Sequence, residues 1–159
     1  MPDGSKLLLN VVALGIVAGM RSQLPLALLS LAAHQSGRDK QTLPEFMTSR
    51  KATALLLASA AGEIVVDKLP VTPSRLMPGS LVVRASTGGL AGVLLSRGTA
   101  LAPIPGAALG AVGALVGSFA GYRVRAGLVA TTGLPDPLLA VLEDVTAVAI
   151  GSHAVKLSQ

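Results

Sequence analysis

The sequence predicts an all-α fold: a polytopic membrane helix bundle of about five spans, forming one integral membrane domain over residues 1–159. Three observations carry this. Hydrophobic residues make up 51% of the chain and charged residues only 13%, against roughly 25% charged in ordinary soluble domains. Aromatic residues are 2%, confined to Phe46, Phe119 and Tyr122, so a soluble core would have to be packed from Ala, Leu, Val and Gly. The 18 glycines and 10 prolines are too many for soluble helices, whereas both residues are frequent in membrane helices, where small side chains let backbones approach.

The first span, about 7–33, is interrupted. Gly15-Ile16-Val17-Ala18-Gly19-Met20-Arg21-Ser22-Gln23-Leu24-Pro25 sets an arginine, a polar step and a proline inside an apolar run. Pro25 lacks a backbone donor and disfavours helical geometry at Leu24, so a kink or break is expected there. Residues 34–51, with Arg38, Asp39, Lys40, Glu45, Arg50 and Lys51, read as an exposed loop. A second span, about 52–66, closes on Asp67-Lys68-Leu69-Pro70, and Pro70, Pro73 and Pro78 force an irregular connector after it. The third span, about 81–95, carries a small-residue face from Ser86 to Gly92.

The fourth span, about 106–132, has glycine at 106, 110, 113, 117 and 121. Gly113, Gly117 and Gly121 fall four apart on one helical face and suit close packing of another helix. It continues past Arg123 and Arg125 and, being too long for a simple crossing, is also expected to break. A fifth span, about 138–154, follows Leu134-Pro135-Asp136-Pro137 and contains Glu143 and Asp144.

Gly117-Ser118-Phe119-Ala120-Gly121-Tyr122-Arg123 repeats the G-x-x-A-G-x-R arrangement of Gly15 to Arg21. If spans one and two are related to spans four and five, the single intervening span sets the two units in opposite orientations. That is the parity of an inverted repeat with broken first and fourth helices, as in many transporters. Flanking charge leaves the orientation open: Lys6, Lys68, Arg75, Arg84, Arg123 and Arg125 on the N-terminal side balance Arg38, Lys40, Arg50, Lys51, Arg97 and Lys156 opposite. Placing Arg123 and Arg125 within the membrane tilts the bias toward a cytoplasmic 34–51 loop. Met1 to Gln23 resembles a signal peptide in charge and apolar core, but it runs into Gly-Met-Arg-Ser without a small-x-small cleavage site.

Ionisable residues inside membrane spans are costly and by default mark polar pathways. Arg21, Glu63, Asp67, Arg123, Arg125, Glu143 and Asp144 fall in or beside spans, and Glu63 and Asp67, four apart, share one face. They either pair to hold a polar core or line a path for an ion, proton or charged headgroup, and the two readings are compatible. Glu63 and Glu143 are both at depths that allow pairing with Arg21. Asp67 and Lys68 also fit the membrane interface, where a lysine snorkels to water.

His34 and His153 have no partner at metal-ligand spacing, and Ser59, Ser118 and Thr146 are expected to bond backbone carbonyls in their own helices, since no histidine stands at triad position. No metal, cofactor or enzymatic role is expected. The net charge of +5 is scattered among apolar runs with almost no aromatics to stack bases, which argues against nucleic acid. Cysteine is absent, which removes disulfides and thiolate metal sites.

Ala18-Gly19-Met20-Arg21-Ser22-x-Leu24-Pro25, then Glu63-x-x-x-Asp67-Lys68-Leu69-Pro70, then Arg84 ahead of a Gly-rich span, resembles the bacterial membrane protein family catalogued as domain of unknown function 4126. The resemblance covers nearly the whole chain and implies a multi-pass protein of the bacterial inner membrane, with no particular activity attached. The expected function is a transporter or channel-like protein with a buried Arg/carboxylate site for a small ion or polar solute. The alternative is a membrane scaffold whose charges only pair helices. The lipid bilayer is the expected surrounding, and a homo-oligomer is compatible with the glycine faces.

Overall fold

The computed structural model describes residues 4–36, 43–67, 76–97 and 99–156. Arg38, Asp39, Lys40, Lys68, Arg75 and most of the proline-rich connector lie outside them. The described residues form seven helices and no strand: α1 (Gly4–Met20), α2 (Leu24–Ser36), α3 (Glu45–Thr48), α4 (Arg50–Val66), α5 (Pro78–Ser96), α6 (Pro103–Thr132) and α7 (Asp136–Lys156). Part of the loop expected over 34–51 is therefore helical. Ser49 accepts a hydrogen bond from Ala52 N at 3.1 Å and caps α4.

The first span breaks where Pro25 and the polar step predict, between Met20 and Leu24, and the chain folds back there. Val17, Leu24 and Ala147 share one buried cluster, and a Cβ on Gly151 would meet both Val17 and Leu28. α2 therefore descends beside α7 and antiparallel to α1. α4 rises against α2, with Ser30 opposite Thr53 and Ser22 opposite Glu63. α5 descends along α1, its Arg84 level with Gly19 and its Gly92 against Val11.

α6 departs from expectation. It is one continuous helix of 30 residues, roughly 45 Å long by helical rise. Its prolines, Pro103 and Pro105, occupy the first turn, where a missing N–H breaks no helical bond. Its inner glycines lower helix propensity without removing a donor. It ends at Gly133, whose φ of 65° is the left-handed cap that glycine adopts without strain.

α6 also runs parallel to α1. A Cβ on Gly15 would meet Gly110 and Gly113, and one on Gly19 would meet Ala114, Gly117 and Ser118. The two G-x-x-A-G-x-R copies thus point the same way, because the fold-back after α1 adds a pass that hydropathy counted as part of one span. Gly88 and Gly92 of α5 seat on Gly110 and Gly106 of the same α6 face. The result is a three-helix seam of α1, α5 and α6 packed backbone against backbone.

α5, α6 and α7 are long and apolar enough to cross a membrane, while α1 and α2 are shorter apolar helices. Large apolar side chains face outward around the bundle, among them Leu55, Ile104 and Val145. The chain is a membrane-like helix bundle.

Candidate functional site

A helix that stops inside a bundle releases backbone donors and acceptors that need partners. At the α1–α2 break, Arg21 N still bonds Val17 O at 2.7 Å, but Ser22 N and Gln23 N lose their helical acceptors. The Glu63 carboxylate from the last turn of α4 takes both, Oε1 at 2.8 Å from Ser22 N and Oε2 at 2.9 Å from Gln23 N. Oε1 also accepts from Ser22 Oγ at 2.9 Å. An anion thereby sits at the positive N-terminal end of α2, the favourable sign for the helix dipole.

The released acceptor is Gly19 O. Arg84 Nη1 of α5 donates to it at 2.7 Å, and Ser118 Oγ of α6 at 3.2 Å. A cation therefore meets the negative C-terminal end of α1. Arg84 Nε bonds Ser80 Oγ at 3.2 Å, and its Nη2 lies 3.7 Å from Glu63 Oε1, which ties the cations and anions of the break together.

Arg21 lies between carboxylates from two further helices. Its Nε donates to Asp144 Oδ1 of α7 at 2.5 Å, and its Nη1 pairs with Asp67 Oδ2 at the end of α4. The residue is only 1% exposed, whereas the Asp67 side chain is 20% exposed. By helical rise, Arg84 sits roughly 9 Å below the start of α5 and Asp144 roughly 12 Å below the start of α7. The charged cluster thus lies within the length of α5 and α7, not at their ends.

The partners of Arg21 are Asp67 and Asp144 rather than Glu63 or Glu143. Glu63 is drawn to the α2 donors. Glu143, adjacent to Asp144 but about 100° around α7, faces Arg125 at 3.6 Å. Arg125 also binds Asp136 across the α6–α7 turn, at 2.7 Å through Nε and 2.5 Å through Nη2. Arg123 is exposed on α6, turned about 200° from Arg125.

Gly113 and Gly117 are buried against α1. Gly121 is half-buried and lines a mainly apolar cavity of about 290 Å³ between α1, α6 and α7, whose polar edge is Arg125, Glu143 and Thr146. Thr146 and Ser118 bond the carbonyls of Leu142 and Ala114 in their own helices, at 2.7 and 2.8 Å. Among the described residues no group of three or more His, Asp or Glu is placed to hold a metal ion.

Arg84 was singled out in the sequence only through the family resemblance. The signal that marks Arg21, an arginine inside an apolar span, applies to it equally. The second bond of Ser118, to Gly19 O, had no such signal, because a serine in a membrane helix usually satisfies itself.

The chain matches the model of a family described as Domain of unknown function (DUF4126) over residues 8–158. No curated protein and no solved structure matches it.

Proposed function

The chain belongs to the DUF4126 family, and on that premise we propose that it is a multi-pass protein of the bacterial inner membrane that passes a small ion or polar solute. The observation that carries the proposal is the α1–α2 break. Two helix termini of opposite polarity meet within the spanning length of the bundle, beside Arg21 and three carboxylates. Discontinuous helices of this kind form the binding sites of many transporters. Asp67, at the end of α4, is the most exposed carboxylate of the cluster and forms the entrance. The role is non-enzymatic, and the proposal requires no inverted repeat, since α1 and α6 run parallel.

One observation favours a second reading. Arg21, Arg84 and Arg125 are each met by carboxylates of the same chain, as a scaffold that only specifies helix pairing would require. Purified protein in phosphatidylcholine liposomes separates the two. Proton and potassium flux are followed with entrapped dyes and glycerol entry by vesicle swelling. At least one flux should exceed that of empty vesicles and fall tenfold or more in Asp67→Asn protein that still gives a cooperative thermal transition. Vesicles no leakier than empty ones to all three probes would leave the scaffold.

A further inference from the structure

We propose that the buried edge of Arg21 is a binding site for a neutral oxygen acceptor, either water or the hydroxyl or carbonyl oxygen of a small polar solute. The inference rests on reading the break as a site rather than a strut, and it names the class of ligand the site takes.

Arg21 is 1% exposed, so its five N–H donors have to be satisfied inside the bundle. Nε and Nη1 each donate one hydrogen bond, to Asp144 and Asp67. Nη2 donates none. It lies 2.5 Å from the same Asp144 Oδ1 that serves Nε, within ion-pair range, yet it makes no hydrogen bond with the described residues.

The surroundings decide what Nη2 holds. A second anion would enter beside Glu63, Asp67 and Asp144, and the repulsion is strong where water is scarce. A cation has nothing to bind, since a guanidinium only donates. A neutral oxygen accepts from Nη2 without adding charge, and water or a hydroxyl also donates to a neighbouring carboxylate. Buried waters occupy such positions, held by two to four polar groups. The route lies past Asp67, which binds Nη1 at the same end of the guanidinium and is 20% exposed, against 11% for the Asp144 side chain and 13% for Glu63.

The test uses the intact protein, labelled with ¹⁵N-arginine, in phosphatidylcholine nanodiscs. Arg21→Lys identifies the Arg21 guanidinium signals by their loss. Magnetisation transfer from water to the Arg21 Nη protons is then recorded with and without glycerol. A water cross-peak that glycerol leaves unchanged identifies a resident water. A cross-peak that declines saturably as one to glycerol appears identifies a solute subsite. Both support the inference. Absence of both cross-peaks, or shifts of the Arg21 signals with chloride or acetate alone, overturns it. Flux without a cross-peak would reject this inference and leave the transport reading standing; a cross-peak without flux would do the reverse.

Discussion

α1 is held at two places by opposite means. Along its length it lies on α6 through glycines, and Gly15, Gly113 and Gly117 sit where any Cβ would strike the facing backbone. At its upper end it stops, and there Glu63, Arg84, Ser118 and Asp144 reach in from α4, α5, α6 and α7. The first contact is made by removing side chains and tolerates nothing added. The second is made by adding charges and tolerates nothing removed. In lipid, where apolar burial drives little association, backbone packing and polar bonds are the available means, and this chain separates them along one helix.

The largest expected effect tests the glycine seam. Gly117→Leu drives a side chain into the backbone of Ile16 and should abolish recovery of folded protein in detergent, whereas Leu115→Ile, partly exposed and similar in volume, should cost less than about 1.5 kcal/mol. Equal thermal midpoints for the two would show that the face is not a helix contact.

Next comes the charged break. Arg21→Ala strands Asp67 and Asp144 and should cost on the order of 3–5 kcal/mol in denaturant titrations in detergent. A loss below about 1 kcal/mol would mean that the pairs behave like exposed ones.

Ser118→Ala removes one of two donors to Gly19 O while Arg84 keeps the other, so the same titration should register about 1 kcal/mol. The smallest effect, with the opposite sign, belongs to a glycine outside both regions. Gly127 has nothing within 4 Å of an added Cβ, and Gly127→Ala in the upper part of α6 should stabilise by about 0.5–1 kcal/mol. A loss there would reveal a close contact that the seam model denies to this stretch.

These contrasts also show what the sequence carried. Arg21 and Pro25 announced the break, because an arginine and a missing donor are local facts. The choice of partner was not local: depth offered Glu63 and Glu143, and only the rotation of α4 and α7 brings Asp67 and Asp144 to Arg21 instead. Asp67 read both as a member of the polar site and, because it closes its helix, as interfacial; α5 and α7 start roughly 9 to 12 Å beyond the level of the break and bring it inside. The fold-back at Ser22 left no trace in hydropathy, so the parallel course of α1 and α6 was not legible. α6 was expected to break on length alone, although no proline follows Pro105 within it.

The charge of Arg21 is held by carboxylates from α4 and α7 that meet at the break. A set of double-mutant cycles tests it most directly, combining Arg21→Ala with Asp144→Asn, Asp67→Asn or Glu143→Gln and reading unfolding free energies in detergent. The structure predicts coupling of about 1–3 kcal/mol with Asp144 and Asp67, and additivity within about 0.5 kcal/mol for Glu143, which faces Arg125. Strong coupling to Glu143 with additivity at Asp144 and Asp67 would contradict it.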